Sequence, residues 1–328
     1  MKNIIIDCDP GIDDSLALIM ALKSPEINVV GITIVSGNVH ASKGAKNALK
    51  VLRLLDMLHI PVYVGEGKPL VREFVTAEDT HGEDGLGETF IEEVYDVEVK
   101  NGVVDFILES AKRYENLTVV AIGPLTNLAL TIEKDRETFN KLKEVILMGG
   151  AFKSHGNCSP VAEFNFWVDP HGADYVFKNI DIPLIMVGLD VTREIVLTPN
   201  YIELLNQIYL ESRDEIAKFI VDITRFYVDF HWKQERTLGC VINDPLAIGY
   251  LLDSSICSGE DYFVQVVKNG EAIGQSMVDV ADFYREKPNC HVLTKVDAKR
   301  FMVMFLTRLF PNYKKEIEVV LNNNRYGI

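Results

Sequence analysis

Four carboxylates fall within eight residues in Asp7-Cys8-Asp9-Pro10-Gly11-Ile12-Asp13-Asp14, directly behind the apolar run Ile4-Ile5-Ile6. The run reads as a buried strand and Ser15–Leu22 as a helix, so the acids crowd a strand-to-helix loop and the first helical turn. Two unit charges about 4 Å apart repel by roughly 1 kcal/mol in water and about 4 kcal/mol at an effective dielectric of 20. Such crowding is tolerated around a cation or in a fully solvated loop, and a loop at the carboxyl end of a buried strand is the usual ligand position in open α/β sheets. The chemistry this implies is metal-dependent. The ion would be hard and oxygen-preferring, calcium or magnesium, because no histidine or metal-type cysteine pair lies nearby. A helix N-cap explains one aspartate there but not four. Asp9-Pro10-Gly11 sets the turn, the spacing departs from an EF-hand loop, and Cys8 points away from its neighbours into the strand's buried side.

Four further stretches carry polar groups at element ends. Gly123-Pro124-Leu125-Thr126-Asn127 closes one strand and opens a helix, either as a plain βα turn or as a source of backbone carbonyls for the same crevice. Asn157-Cys158-Ser159-Pro160-Val161-Ala162-Glu163-Phe164-Asn165, ending in Val168-Asp169-Pro170, offers amides and a carboxylate suited to a polyhydroxylated ligand, or else a polar loop followed by a helix cap. Asn243-Asp244-Pro245-Leu246 follows the Gly239-Cys240 break, and Asp244 could simply cap a helix over Pro245–Leu252. Thr80-His81-Gly82-Glu83-Asp84-Gly85-Leu86-Gly87 has the glycine-rich, polar character of a mobile lid and lacks the pattern of a phosphate cradle.

Strand and helix patterns alternate to hold these groups. Strands are expected at Asn3–Asp7, Val29–Val35, Val62–Val64, Leu117–Ile122, Glu144–Met148 and Ile182–Val187, and helices at Asp14–Lys23, Ser42–Leu58, Gly102–Tyr114, Leu125–Glu133 and Ala173–Lys178. The alternation implies right-handed βαβ units and a mostly parallel sheet flanked by helices on both faces. Beyond Pro199 come helices at Tyr201–Leu210 and Arg213–Trp232, strands at Asp261–Val267 and Gln275–Asp282 with a hairpin around Asn269-Gly270, and a closing helix at Ala298–Phe310. The stripe Phe219, Ile223, Phe226, Tyr227 and Phe230 reads as core packing. No repeat or flexible linker divides the chain, so residues 1–328 are expected to form one α/β domain with a C-terminal helical and β elaboration.

The formal net charge of -15 disfavours nucleic acid or an anionic membrane as partner. Five scattered cysteines with no C-x-x-C pair suit a reducing compartment. No signal-type leader opens the chain and no apolar run reaches membrane-spanning length, which together point to the cytoplasm.

In combination the motifs resemble the inosine–uridine preferring nucleoside hydrolase family. The resemblance is carried by D-x-D-P-G-x-D-D at 7–14, Asn38, G-P-L-T-N at 123–127, M-G-G at 148–150, N-x-S-P-x-x-E-F-N at 157–165 and D-P-L at 244–246, and it runs to the C-terminal helix. It implies a doubly wound, Rossmann-like α/β fold, a tightly bound calcium ion, a small-molecule nucleoside substrate and a homo-oligomer, dimer or tetramer. By the same resemblance, calcium is held by the carboxylates of Asp9, Asp14 and Asp244 and the carbonyl of Thr126, and Asp9 is the general base. Asp13, Asn38, Asn157, Glu163, Asn165 and the Met148 main chain would bind ribose, and His81 would lie in the loop that closes over the nucleoside.

One departure concerns the residue before the last calcium-ligand aspartate. Family members carry histidine there, linked to leaving-group protonation, or an aromatic residue that stacks on the base; this chain has Asn243. An amide is no acid near neutral pH, so His81, His231 and Tyr227 become the candidates for activating the leaving group, Tyr227 and His231 sharing one helix face at i and i+4. The leading expectation is calcium-dependent hydrolysis of the ribonucleoside N-glycosidic bond to free base and ribose. The alternative is a ribose- or nucleoside-binding protein of the same fold with impaired catalysis. A haloacid-dehalogenase-type phosphatase, suggested by Asp7-x-Asp9 alone, fits Gly11 and the Asp13-Asp14 pair poorly.

Overall fold

The three isoleucines behind the acidic loop alternate between two interiors. Ile4 and Ile6 face one core and Ile5 the other, and the same division splits Val120 from Val119 and Ala121, and Ile146 from Val145 and Leu147. A strand buried on both faces must be apolar throughout, and this is why these segments read as continuous runs in the sequence.

The computed structural model describes residues 1–322. Its strands are β1 (Lys2–Cys8), β2 (Ile27–Ile34), β3 (Val62–Val64), β4 (Lys100–Asn101), β5 (Thr118–Ala121), β6 (Glu144–Met148), β7 (Leu184–Val187), β8 (Val196–Leu197), β9 (Cys240–Val241), β10 (Cys257–Val266), β11 (Ser276–Asp279) and β12 (Cys290–Val296). Ten of them form one sheet in the order β11-β10-β12-β7-β6-β5-β1-β2-β3-β4, and β8 and β9 pair separately. From β12 to β4 every neighbour is parallel, while β10 runs antiparallel to both β12 and β11. The helices Ile12–Leu22, Ala41–Leu54, Pro245–Leu252 and Ala298–Leu309 contribute to one core, and Val103–Arg113, Thr126–Phe139 and Pro170–Asn179 to the other. The sheet is therefore mostly parallel and doubly wound. Chain order reverses at β1, which has β2 on one side and β5 on the other. The loops leaving β1 and β5 diverge there and open a crevice at the carboxyl ends of the strands.

Several boundaries differ from the sequence reading. The helical tract expected from Arg213 starts at Glu215, because Arg213 takes a left-handed φ of 59° that ends the preceding helix and Asp214 caps the next through Ile216 N and Ala217 N. The helix expected to stop at Glu133 continues to Phe139 through a kink at Asp135. The β10–β11 hairpin exists, with backbone bonds continuing from Val266–Ser276 to Val267 with Gln275 and Gly274, and Asn269-Gly270 lies in a connection longer than a two-residue turn. Strands β4, β8, β9 and β12 were not anticipated. No helix among the described residues is long and apolar enough to cross a membrane.

Asp169 is fully buried and ties three elements together. Its carboxylate caps the helix Pro170–Asn179 at Gly172 N (2.8 Å) and accepts from Thr126 Oγ1 (2.6 Å) and Leu70 N (3.1 Å). Asp169→Ala removes a cap and leaves buried donors unpaired, for an expected loss of about 3 kcal/mol in urea-induced unfolding. A loss within about 0.5 kcal/mol would mean the three contacts are not formed.

Candidate active site

The crevice at the switch point is a cavity of about 570 Å³, and Asp13, Asn38, Met148, Asn157, Glu163, Asn165, Asn243 and Asp244 line it. Its floor is the acidic loop after β1. Proline and glycine end the strand, and Gly11 in extended conformation starts the helix, with Asp13 and Asp14 in its first turn. The positive end of the helix faces these acids. Asp14 accepts from Asp9 N (3.1 Å), Gly11 N (3.0 Å) and Asn38 Nδ2 (2.9 Å). Asp9 is fully buried; its Oδ2 accepts from Asn38 N (2.6 Å), while Oδ1 has no hydrogen-bond partner among the described residues. Two glycines make room for it. A Cβ at Gly37 would lie 2.0 Å from Asp9 Oδ2, and one at Gly123 would lie 2.6 Å from Asp9 Oδ1. The loop after β5 thus meets the loop after β1 at this carboxylate.

Asp244 arrives from the far end of the chain, at the start of the helix Pro245–Leu252, and its carboxylate accepts no hydrogen bond among the described residues. One carboxylate oxygen each from Asp13, Asp14 and Asp244 lies within 4.8 Å of the others. Burial pushes the carboxyls of Asp9 and Asp244 well above the ordinary aspartate range, with the neighbouring aspartates adding to the effect. Burial, then the charge of Asp13, raises Asp14 to about 7. Such a site is unstable as a set of bare anions and stable around a cation. The unpartnered Asp9 Oδ1, the donor-free Asp244 and the all-oxygen donor set fit a hard divalent ion.

The remaining polar groups form the cavity wall. Glu163 caps the short helix Phe164–Val168, its Oε1 accepting from Asn165 N (2.8 Å) and its Oε2 from Gly150 N (2.9 Å) and Phe166 N (3.2 Å); burial raises its carboxyl to about 7. Asn165 Nδ2 donates to the carbonyls of Ile122 (3.0 Å) and Met148 (3.1 Å), leaving its Oδ1 free. Asn157 Oδ1 accepts from Phe164 N, leaving its Nδ2 free. Asp13 Oδ2 accepts from Tyr227 Oη (3.2 Å) and from Asn243 N (3.3 Å) and Nδ2 (3.2 Å). His81, Tyr227 and His231 all line the cavity.

The structure separates one member of the acidic run from the rest. Asp7 belongs to β1 and accepts from Thr33 Oγ1 (2.5 Å) and Asn127 Nδ2 (2.8 Å), whereas of the other three only Asp13 reaches the cavity lining and Asp9 and Asp14 lie buried beneath it. The stretch expected to be a mobile lid is pinned down. His81 and Leu86 are buried, Asp84 gathers the amides of Leu86, Glu88 and Phe90, and a Cβ on Gly87 would lie 2.5 Å from the Ile223 carbonyl. Sequence reasoning missed Trp167, Phe230, Gln234 and Glu235, which also line the cavity. The last three continue the Tyr227–His231 face of the helix Glu215–Glu235, so their helical spacing was the available signal. The aromatic stripe is core at Phe219 and Ile223 and becomes cavity wall towards Phe230.

Residues 4–303 match the family described as Inosine-uridine preferring nucleoside hydrolase. The pyrimidine-specific ribonucleoside hydrolase RihA of Salmonella typhimurium is 36% identical over 310 residues, 93% of this chain and 97% of that protein. Among solved structures, a purine-preferring ribonucleoside hydrolase from Gardnerella vaginalis superposes with a TM-score of 0.86 at 32% identity, covering 97% of this chain and 100% of the other. A plant nucleoside hydrolase gives 0.87 at 30% identity, covering 94% and 98%.

The acidic floor makes the metal-free protein sensitive to pH. Asp14 of this floor holds its proton up to about 7 when folded, against an ordinary value of 3.8. Between those values the folded chain binds more protons than the unfolded chain, so its stability falls as pH rises. Protein stripped with a chelator is expected to melt at lower temperature at pH 8 than at pH 5.5, and a saturating divalent ion to remove that difference. Equal melting temperatures in the stripped protein would contradict this account of the floor.

Proposed function

This chain belongs to the inosine-uridine preferring nucleoside hydrolase family, and from that membership and the site's geometry we propose that it hydrolyses the N-glycosidic bond of ribonucleosides, with calcium as its metal. The products are free base and ribose. The observation that carries the reading is Asp9 Oδ1, buried without a partner on an acidic floor beneath a wall of amides and carboxylates. Asp9, Asp14 and Asp244, with the Thr126 carbonyl, would hold the ion. When bound it would supply positive charge that eases deprotonation of water near neutral pH and grips hydroxyl oxygens.

The protein's own groups account for the remaining work. Asp9 Oδ1 takes the proton of the attacking water while Oδ2 stays anchored on Asn38 N. Asp13, Asn38, Asn157, Glu163, Asn165 and the Met148 main chain bind the ribose hydroxyls and hold the anomeric carbon in place. The free Asn165 Oδ1 and the Glu163 carboxylate face the positive charge that develops on the sugar ring.

The leaving base needs a proton or hydrogen bond, and His81 is placed to give one. Ile12 N donates to His81 Nδ1 (3.0 Å), so the neutral ring carries its proton on Nε2. The Tyr227 hydroxyl is already spent on Asp13, and Asn243 is an amide tied to the same carboxylate. A second reading, nucleoside binding without turnover, rests on Asn243 standing where an acid or a stacking ring is found in relatives. We read the 328 residues as one domain, and the five free thiols support a cytoplasmic setting.

Asp9→Ala is expected to lower kcat by about 10²–10⁴-fold with the fold retained, measured as release of reducing sugar from a nucleoside panel in calcium. Tight nucleoside binding with no turnover by the unaltered protein would favour the second reading. His81→Ala is expected to slow natural nucleosides by about 10²-fold but p-nitrophenyl riboside far less, because that leaving group departs without a proton. Equal losses on both substrates would remove His81 from leaving-group activation.

A further inference from the structure

The side chain of Asn127 is buried at the start of the helix Thr126–Phe139 and makes three hydrogen bonds, each at a different strand end. Its Nδ2 donates to Asp7 Oδ1 on β1 (2.8 Å) and to the Ile34 carbonyl at the end of β2 (3.1 Å), and its Oδ1 accepts from Glu66 N beyond β3 (3.0 Å). With β5, which leads into the helix, these strands are successive neighbours in the order β5-β1-β2-β3. One amide therefore ties together the carboxyl ends of four strands. The chain makes room for it at Gly65, where a Cβ would lie 2.4 Å from Asn127 Oδ1 and 2.6 Å from the Ile34 carbonyl.

Asp7 is the costly member of this network. It is fully buried, Thr33 Oγ1 (2.5 Å) and Asn127 both donate to its Oδ1, and its Oδ2 has no partner among the described residues. An apolar side chain suits a strand buried on both faces better, and such a departure is expected where function needs a fixed geometry. The acidic floor lies immediately beyond. Asp7 is two residues before Asp9, and Asn127 is four residues after Gly123, where the chain closes on Asp9 Oδ1. Thr126, between them, is anchored by its hydroxyl to Asp169 (2.6 Å). The loops that meet at Asp9 are thus spanned, just behind their meeting point, by one bond between side chains.

We infer that the Asp7–Asn127 bond is a strut that sets the spacing of the acidic floor, and that Asp7 and Asn127 are positioning residues for the divalent ion, acting through Asp9 and the Thr126 segment. This rests on the metal reading above. The groups that would hold the ion come from different loops, and their separation is fixed only as well as the loops are joined.

The test is calorimetric titration of the chelator-stripped full chain with calcium and, separately, with magnesium, circular dichroism reporting the fold. Asn127→Leu keeps charge and approximate shape and is expected to raise the calcium Kd by about 10–100-fold. Asp7→Leu and Asp7→Asn share a shape and both remove the charge, but only Asn still offers Oδ1 to Asn127 and Thr33. The Kd of Asp7→Leu is therefore expected to exceed that of Asp7→Asn by about tenfold or more. Combining Asp7→Leu with Asn127→Leu is expected to leave the Kd within about threefold of Asn127→Leu alone, because one strut cannot be cut twice. A purely structural role would lower the melting temperatures and leave every Kd within about threefold of the unaltered chain, which overturns the inference. Equal Kd values for Asp7→Leu and Asp7→Asn, or additive losses in the double variant, overturn it too. If Asn127→Leu does not fold, the two Asp7 variants decide. Should the unaltered protein bind neither ion, the metal reading fails and the inference falls with it; metal binding that is unchanged across the variants removes the inference alone.

Discussion

Everything in the cavity depends on keeping several carboxylates close together away from bulk water. Three devices make that possible. Backbone amides of Asp9, Gly11 and Asn38 point inward at the acids, the first helix directs its positive end at them, and the open oxygens of Asp9 and Asp244 leave room for a cation. The sheet supplies the location. Chain order reverses between β1 and β5, the place where strand-end loops part to leave a crevice. Glycine at 37 and 123 then lets both neighbouring loops close in on Asp9.

Floor and wall are linked through Asp13. Its Oδ2 takes the Tyr227 hydroxyl and both nitrogens of Asn243, so a residue from the first helix holds the long helix Glu215–Glu235 and the Asn243–Asp244 corner together. Asp244 is placed by that corner, some 230 residues along the chain from Asp13. The acidic floor and the aromatic wall of the cavity therefore share one carboxylate. Residues far apart in sequence are thus joined at one carboxylate.

What was legible in the sequence is what local pattern encodes. Continuous apolar runs gave away the central parallel strands, because burial on both faces leaves no polar position. The Asp9–Asp14 spacing, the Asp169-Pro170 cap and the helix after Asp244 were readable because capping and turn geometry are short-range. Partnership across the fold was not. Nothing near Asp7 distinguishes it from Asp9, yet one bonds sideways to Thr33 and Asn127 within the sheet and the other forms the site. Strand β4 is two residues long and carries no periodicity. The glycine-rich stretch at 80–87 looked mobile because glycine signals freedom in isolation. In the fold its positive-φ glycines and the amides around Asp84 specify one tight path.

The contact between His81 and Ile12 has a consequence for how the molecule breathes. Ile12 is the first residue of its helix, and its amide has no partner within that helix; an imidazole from a segment 69 residues away supplies one. The rim of the cavity and the start of a central helix are thus one cooperative unit. Lifting the rim frays the helix end, and damage to that helix end loosens the rim.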